Sequence, residues 1–387
     1  MQNGYTSLTS LSSSANFIWR PESRTTITFR TFIRPREHGP LQFKLWHSNA
    51  VDSTWADGAE SRAGDLGGRW RIEACFVADG GAQPDGSFVS GTEKAVTFGG
   101  ASSKDVLPGE RFWSDAVPVT VPEHHYLAFS WTITAYGPED GVPFNTETLL
   151  ASAYEADGDK AGQASAEGYA PAVNRQIVPS LLAYERKVSK QLVFLGDSIT
   201  QGVRTEKDGY AFWAAKIAAG LEADTGVWNI GSGWARAYDL VHSNVWLNKA
   251  MQGDEVVVCL GVNDIGTGNR SAEQLKADLT SVIGQLSNGK AVWLCTLPAF
   301  NFEGEQEAVW RTVNDWIRSL PDIGIAGVFD IAKVLGQEPP NDRLLQTAYM
   351  SPHNDPHPNG LAGSAVADAF LTWYKSKRLS PSFGGNR

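Results

Sequence analysis

The first part of the chain, to about Glu147, carries short runs in which apolar and polar positions alternate. Glycine, proline, aspartate and serine separate these runs, which include TTITFRTFI, LQFKLW, RWRIEACFV and HYLAFSWTITAY. A period of two is typical of strands with one buried face, and many short strands between turn residues indicate an antiparallel sandwich. We therefore predict an all-β sandwich or jelly-roll accessory domain over residues 1–185. Its end includes a connecting loop, rich in alanine, glycine and aspartate, from about residue 150 to 168.

After about Lys187 the pattern changes to continuous apolar runs that alternate with segments of helical periodicity. The runs QLVFLG, GVWNIG, DEVVVCLG, KAVWLCTL and GIAGVFDI predict strands. Strands that are apolar throughout are covered on both faces, which is typical of parallel sheets. Strands that alternate with helices predict a three-layer α/β/α domain, here over residues 186–387. Ligands bind such sheets at the carboxyl ends of the strands, so polar clusters at those ends are candidate sites.

Composition narrows the range of partners. The chain has 387 residues and a net charge of −10, and no run approaches the roughly 18 apolar residues that a membrane-spanning helix needs. An acidic chain without a basic stripe is a poor partner for nucleic acids or anionic membranes. We therefore expect neither nucleic acid nor membrane as a partner. Self-association as a homo-oligomer stays open.

The cysteines and the N-terminus bear on localisation. Cys75, Cys259 and Cys295 are odd in number and widely spaced, and two of them lie in apolar runs. This pattern predicts buried thiols in a reducing compartment, not a disulfide framework or a zinc site. The N-terminal MQNGYTSLTSLSSS lacks the basic region and apolar stretch of a secretory signal. We expect a cytoplasmic protein, although earlier removal of a leader would leave the same sequence.

Three polar clusters lie at the predicted carboxyl edge of the parallel sheet. GDSITQG, with Ser198, follows the first strand; GVNDIG, with Asn263, follows the third; NDPHPNG, with His357, precedes the last helix. Serine is a weak nucleophile at its free pKa and needs a base, which a histidine supplies. An aspartate beside that histidine fixes its tautomer and stabilises the imidazolium. The clusters therefore favour nucleophilic serine chemistry.

The blocks GDSIT, GVND and DPHPN resemble the SGNH (GDSL-like) hydrolase superfamily. Their order and spacing agree with that family, and the similar region runs from Lys190 to about Lys377. The N-terminal half is also similar to the β-domain that precedes some bacterial SGNH hydrolases, through FKLWHSN, VTFGG and PGERFWSDAVPVTVPEHHYLAFS. The resemblance implies a flavodoxin-like parallel sheet, Ser198 as nucleophile and His357 as general base.

The resemblance also implies an oxyanion hole. Its donors are the backbone N–H of Ser198, a glycine N–H and the side-chain amide of Asn263. The family block usually reads N-x-G-x-x-G, whereas this chain has NIGSGW, with Trp234 in place of the second glycine. We favour Gly233 as the glycine donor after a one-residue shift, with Gly231 as the second choice.

The position of the acidic residue that orients the histidine departs from the family pattern. The family usually places aspartate three residues before the histidine, and here that residue is Asn354. Asp355, two residues before His357, is assigned as the orienting carboxylate. If Asp355 points away, the site is a dyad in which a backbone carbonyl orients the imidazole.

Each candidate also has a structural interpretation. Serine is a common N-cap, asparagine is common in turns, and a single histidine is often a loop residue. Asp197 is assigned a structural role in holding the turn before Ser198. Asp264 is assigned a structural role in stabilising its loop or the start of a helix. His353 lies four residues before His357, a metal-binding spacing on a helix, but the prolines around both exclude a regular helix. We expect neither a metal nor a cofactor.

The favoured function is ester hydrolysis through an acyl-enzyme on short-chain, acetyl esters. A carbohydrate O-acetyl substrate is preferred because 14 tryptophans offer faces for sugar rings, although packing also explains them. The alternative in the same class is a short-chain carboxylesterase without a sugar substrate. A metal-dependent phosphoesterase, based on D-x-H, and a carbohydrate-binding protein with vestigial blocks are the alternatives from other classes.

Overall fold

The computed structural model describes residues 4–52, 63–146, 150–242, 244–320, 324–352 and 355–379. Strands dominate the N-terminal region, and a parallel sheet with helices forms the remainder. The N-terminal strands are β1 (Tyr5–Ser7), β2 (Phe17–Trp19), β3 (Thr25–Ile33), β4 (Gly39–Ser48), β5 (Trp70–Asp79), β6 (Lys94–Ala95), β7 (Lys104–Val106), β8 (Arg111–Trp113), β9 (Val117–Val121), β10 (Leu127–Ala135), β11 (Val142–Phe144), β12 (Ala153–Asp157), β13 (Ala170–Pro171) and β14 (Leu181–Glu185).

These strands form two larger antiparallel sheets and a small β2–β11 pair. One sheet has the order β1-β14-β4-β8, with β9 also on β4; the other has the order β13-β12-β3-β10-β5-β6, with β7 also on β5. The two sheets share a core, in which the ring centroids of Phe43 in β4 and Phe129 in β10 are 6.4 Å apart. The strand-rich N-terminal region is therefore confirmed, while its jelly-roll connectivity stays a prediction.

One sequence prediction is wrong in this region. The segment from about residue 150 to 168, predicted to be a connecting loop, contains β12, which pairs with β3 from Ala153↔Thr31 to Asp157↔Ile27. Its alanine and aspartate have low strand propensity. The edge of β3, however, supplies backbone partners, and the small side chains of Ala153 and Ala156 fit into buried positions. Tertiary pairing therefore overrides the local composition.

The C-terminal region has a five-stranded parallel sheet in the order β16-β15-β17-β18-β19. This is the flavodoxin-like order 2-1-3-4-5, and it confirms an α/β fold with a parallel sheet. Its strands, and a short pair beside it, are β15 (Lys190–Gly196), β16 (Thr225–Asn229), β17 (Glu255–Cys259), β18 (Ala291–Cys295), β19 (Gly327–Phe329), β20 (Met350–Ser351) and β21 (Asp355–Pro358).

Helices follow most of these strands. They are α1 (Ser198–Gln201), α2 (Trp213–Gly220), α3 (Ala237–His242), α4 (Asn244–Ala250), α5 (Val262–Gly266), α6 (Ala272–Leu286), α7 (Gly304–Ser319), α8 (Ile331–Leu335) and α9 (Gly360–Leu379). Helix α2 packs against α9, and α6 packs against α3 and α7. Helix α6 begins with a capping box, in which Ser271 and Gln274 satisfy each other's backbone N–H. No helix within the described ranges is both long and apolar enough to cross a membrane.

Strand β14 joins the two regions. Leu182 and Tyr184 lie in the core of the N-terminal sheets, whereas Leu181 and Ala183 lie in the core of the parallel-sheet region. Alternate side chains of a strand point to opposite faces, so one strand serves both cores. The division into residues 1–185 and 186–387 stays a prediction, because β14 at its boundary belongs to both.

Cys75, Cys259 and Cys295 are free, buried thiols, as predicted.

Candidate active site

Ser198 lies where β15 turns sharply into α1. Asp197 is the N-cap of this short helix, and its carboxylate accepts a hydrogen bond from the Ile199 N–H at 2.9 Å. The turn is tight, because a Cβ on Gly196 would lie 2.0 Å from the Thr200 hydroxyl oxygen. The sequence GDSIT therefore presents the half-buried Ser198 at the carboxyl end of a central strand.

His357 and Asp355 lie on β21 and complete a hydrogen-bonded chain with Ser198. Ser198 Oγ lies 2.9 Å from His357 Nε2, and His357 Nδ1 lies 2.5 Å from Asp355 Oδ1. Residues two apart on a strand face the same side, so the D-x-H spacing places the carboxylate beside the imidazole. Asp355 thus reaches the ring despite the departure from the family spacing. The alternative acid position, Asn354, and the metal candidate His353 lie outside the described residues.

Arg204 holds the other oxygen of Asp355. Its Nε donates to Asp355 Oδ2 at 2.7 Å. Partial burial raises the pKa of Asp355, but hydrogen bonds from His357 and Arg204 outweigh it and lower the pKa to about 2. Asp355 is therefore a carboxylate at neutral pH, and it can stabilise a positive charge on His357. The one signal for Arg204 in the sequence is its position six residues after Ser198.

The candidate oxyanion donors follow the two strands that flank β15. Strand β16 pairs with β15 on one side and leads to Gly233, and β17 pairs on the other and leads to Asn263. The loop after β16 is held against β15 by the Ser232 N–H, which donates to the Gly196 carbonyl at 2.9 Å. The Asn263 amide donates one hydrogen bond to the Ala235 carbonyl at 3.1 Å. The parallel sheet thus gathers Ser198, Gly233 and Asn263 along one edge.

Gly231 lies in close contact with α1. Its N–H donates to Asn229 Oδ1 at 2.9 Å, and a Cβ there would lie 2.4 Å from the Gln201 backbone nitrogen. Close packing against α1 therefore requires glycine at this position, and its N–H is already engaged. Of the two glycines predicted as donors, the structure disfavours Gly231.

Residues 194–362 match the sequence model of the GDSL-like Lipase/Acylhydrolase family. The chain carries a GDSL-like lipase/acylhydrolase domain. The predicted resemblance is confirmed for this domain, which contains all the predicted site residues. A search of curated proteins found no match.

Several solved structures are similar to this chain at low identity. A member of the lipolytic protein G-D-S-L family from Veillonella parvula DSM 2008 is 19% identical, with a TM-score of 0.38, and covers 48% of this chain and 98% of its own. An active-site mutant of a family two carbohydrate esterase from Clostridium thermocellum is 13% identical, with a TM-score of 0.40. The match covers 97% of this chain and 98% of the esterase chain. A carbohydrate esterase family 3 structure from Talaromyces cellulolyticus is 18% identical, with a TM-score of 0.38. The match covers 49% of this chain and 98% of the esterase chain.

Aromatic side chains lie beside the candidate residues of the GDSL-like domain. The Phe300 ring meets the His357 ring edge to face, with 5.2 Å between centroids. Trp234 follows Gly233 with a φ of 66°, and the residue is 38% exposed. This is the left-handed conformation that glycine adopts most easily, which accounts for the glycine usual at this place in the family block. Here the backbone keeps that conformation and carries an exposed indole.

Two buried aspartates support the loops of the GDSL-like domain. Asp264 accepts hydrogen bonds from the Ala237 and Tyr238 N–H groups at the start of α3, and burial raises its pKa to about 6. Burial, with a smaller contribution from the charge of Asp264, raises the pKa of Asp197 to about 7. Both side chains bind backbone groups, which fits the structural roles assigned to them from the sequence. Among the described residues, no group of three or more His, Cys, Asp or Glu side chains is placed to hold a metal ion.

Proposed function

We propose that this protein is a serine ester hydrolase that works through an acyl-enzyme. The observation that carries the proposal is the chain of hydrogen bonds from Ser198 Oγ through His357 to Asp355. A hydroxyl within hydrogen-bond reach of an imidazole, which a carboxylate orients, is the arrangement of an activated nucleophile. The GDSL-like domain at residues 194–362 supports a hydrolase of this class.

In the proposed first half-reaction, His357 Nε2 takes the Ser198 proton as Oγ attacks the ester carbonyl. The Asp355 carboxylate stabilises the imidazolium, which then gives this proton to the leaving alcohol as the C–O bond breaks. Water attacks the acyl-enzyme in the second half-reaction, and His357 acts as base again. The carboxylic acid leaves, and Ser198 regains its proton.

In both half-reactions a negative charge develops on the former carbonyl oxygen. The proposed donors to this oxygen are the N–H groups of Ser198 and Gly233 and the amide of Asn263. The engagement of the Gly231 N–H by Asn229 supports the choice of Gly233. Removing one such donor typically slows an enzyme by about 100- to 1,000-fold.

The proposed substrate is a short-chain, acetyl ester on a carbohydrate. Abundance of tryptophan alone does not support a sugar, because many of the rings, among them Trp70, Trp131 and Trp310, are fully buried in the cores. Trp234 differs, because it is the tryptophan among the exposed large apolar side chains of the described residues and it adjoins Gly233. An exposed indole beside the site offers an apolar face on which a sugar ring can stack. A short-chain carboxylesterase without a sugar substrate is the alternative.

Hydrolysis of p-nitrophenyl acetate, butyrate and octanoate by the wild type and Ser198→Ala, with and without EDTA, tests the class. We expect activity that falls with chain length, disappears in the variant and ignores EDTA. Retained activity in Ser198→Ala, or loss with EDTA, would overturn the serine mechanism. Acetylated xylo-oligosaccharides and ethyl acetate, two esters of unactivated alcohols, then test the alcohol moiety: the sugar proposal requires a higher kcat/KM on the acetylated xylo-oligosaccharides than on ethyl acetate.

A further inference from the structure

A short segment of the N-terminal region lies against the loop that carries Gly233. Residues 12–16, here called the strap, connect β1 and β2, and residues 230–233 are called the oxyanion loop. The side chains of Ser12, Ser14 and Asn16 are at most 1% exposed. Although they belong to the strand-rich region, each of them donates a hydrogen bond to the oxyanion loop.

The strap binds carbonyl groups along the whole loop. Ser12 Oγ donates to the Gly231 carbonyl at 2.5 Å, and Ser14 Oγ donates to the Ile230 carbonyl at 3.0 Å. Asn16 Nδ2 lies 2.8 Å from both the Gly233 carbonyl oxygen and Ser232 Oγ. These bonds join residues more than 200 positions apart in sequence. Buried polar groups are expensive to leave unpaired, so each bond resists displacement of the loop.

The geometry bears directly on the direction of the Gly233 N–H. A peptide group is planar and trans, so its carbonyl and its N–H point in opposite directions. The Gly233 N–H belongs to the peptide group between residues 232 and 233. The peptide groups on either side of it contain the Gly231 and Gly233 carbonyls, which Ser12 and Asn16 hold. The strap therefore fixes both neighbours of the proposed oxyanion donor, and Ser14 fixes the preceding peptide group through the Ile230 carbonyl.

The strap is itself anchored at the junction of the two regions. The Ala15 N–H donates to Asp52 Oδ2 at 2.8 Å, and the Asp52 N–H donates to the Ala15 carbonyl at 2.9 Å. The same carboxylate oxygen lies 2.5 Å from Lys249 Nζ of α4, and both charged side chains are buried. Removing one partner of a buried ion pair is strongly destabilising, so this pair holds the strap firmly against the GDSL-like domain.

We propose that Ser12, Ser14 and Asn16 are positioning residues for the oxyanion hole, through the hydrogen bonds that they donate to residues 230–233. This rests on the proposed function. It gives the strand-rich region a part in the chemistry, because a segment of that region sets the backbone geometry of the donor loop. Misplacement of catalytic groups by about 1 Å can slow a reaction by roughly 100-fold, so loop geometry matters even where the strap does not touch the substrate.

The test compares single variants in the full chain. Ser14→Ala and Asn16→Ala remove donors to the loop, and Ser13→Ala is the matched control from the same segment. Ser13 Oγ donates to the Ser180 carbonyl at 2.5 Å, within the N-terminal region, and does not bond to the loop. The measurements are kcat and KM on p-nitrophenyl acetate and the inhibition constant of phenylboronic acid, whose tetrahedral adduct with Ser198 places an oxygen in the oxyanion hole.

We expect Ser14→Ala and Asn16→Ala to lower kcat by about 10- to 100-fold, with KM nearly unchanged, because the lost stabilisation acts in the transition state. The inhibition constant should rise in parallel, and Ser13→Ala should match the wild type in both measurements. Urea unfolding shows whether each variant is folded. Ser14→Ala removes a single oxygen atom, so it keeps the test valid if Asn16→Ala does not fold.

Two outcomes would contradict the inference, and the experiment distinguishes between them. If Ser14→Ala and folded Asn16→Ala match Ser13→Ala in kcat and inhibition while wild-type activity depends on Ser198, the strap is only structural and the inference is wrong. If wild-type activity does not depend on Ser198, the proposed function fails, and the inference fails with it.

Discussion

Arg204 Nε lies 2.7 Å from Asp355 Oδ2, while the other oxygen of the same carboxylate lies 2.5 Å from His357 Nδ1. Each oxygen of Asp355 thus has a different charged or chargeable partner. The arginine side chain is 54% exposed and the aspartate 22% exposed, so this ion pair lies at the open side of the site. The backbone N–H of His357 also donates to Oδ1 at 3.1 Å, and the guanidinium holds the opposite oxygen. The guanidinium therefore adds a second restraint on rotation of the carboxylate away from the imidazole.

Arg204→Met should therefore lower kcat/KM on p-nitrophenyl acetate by about 10- to 100-fold, because misplacing a catalytic group by about 1 Å can cost roughly 100-fold in rate. Arg204→Lys should recover part of the loss, because lysine restores the charge but not the directional fork. Arg318→Met is the control, since Arg318 forms a similar ion pair with Asp330, which follows β19, a strand that β17 and β18 separate from β15. Equal activities for Arg204→Met and Arg318→Met would contradict this role.

Asp197 predicts a pH dependence of stability. Its pKa is raised to about 7 in the folded protein, whereas an aspartate in an unfolded chain titrates near 3.9. Between these values unfolding releases a proton, so rising pH favours the unfolded state. The stability that this group contributes is fully present below about pH 4 and is lost as the pH rises through about 7.

Asp197→Asn removes this titration and keeps an oxygen that can accept from the Ile199 N–H. The unfolding free energy of the wild type, relative to Asp197→Asn, should fall between about pH 4 and pH 7. Urea unfolding at both pH values measures the difference. A difference that does not change with pH would show that Asp197 is ionised in the folded protein throughout this range.

Much of the site could be predicted because its chemistry is local in the sequence. GDSIT places Ser198 at a strand-to-helix turn through the Asp197 cap, and D-x-H brings Asp355 to His357 because β21 is extended. Hydrophobic continuity likewise predicted the parallel strands. Each of these inferences needs only the residues within one turn or one strand.

The features of the fold and site that could not be predicted depend on contacts between residues far apart in the sequence, which no local pattern indicates. Arg204 reaches Asp355 across 151 positions, and Asn16 reaches Gly233 across 217. Strand β12 was missed for a similar reason, since its pairing with β3 outweighs its own weak strand propensity. A serine-rich stretch such as residues 10–16 is typical of a loop; its role against the oxyanion loop emerges only when both regions are folded together.

Gly231 and Gly233 should respond differently to alanine. A Cβ at Gly231 would lie 2.4 Å from backbone nitrogen of Gln201, which cannot move without shifting α1. A Cβ at Gly233 would lie 2.9 Å from Gln201 Oε1, the end of a flexible side chain. We expect Gly231→Ala to lower the unfolding free energy by about 1–3 kcal/mol, the usual effect of overpacking, and Gly233→Ala to change it much less.

Activity separates these two glycines further. Gly233→Ala keeps the backbone N–H, so its kcat should stay within about tenfold of the wild type, less than the loss of a whole oxyanion donor. Urea midpoints and kcat on p-nitrophenyl acetate provide both readouts. A stable Gly231→Ala variant beside a destabilised Gly233→Ala variant would reverse the assignment of the close contact.

Trp234 allows backbone strain and substrate contact to be measured at one position. Trp234→Gly and Trp234→Ala both remove the exposed indole, but only glycine adopts a φ of 66° without a steric cost. Trp234→Gly should therefore be more stable than Trp234→Ala by about 1 kcal/mol in urea unfolding. If the indole stacks on a sugar, both variants should raise KM for acetylated xylo-oligosaccharides by about 5- to 150-fold. This is the equivalent of about 1–3 kcal/mol, the range for a nucleic-acid base stacked on an aromatic side chain. Hydrolysis of p-nitrophenyl acetate should not change. An equal change on both substrates would instead mean that Trp234 shapes the catalytic groups, and it would favour the carboxylesterase without a sugar substrate.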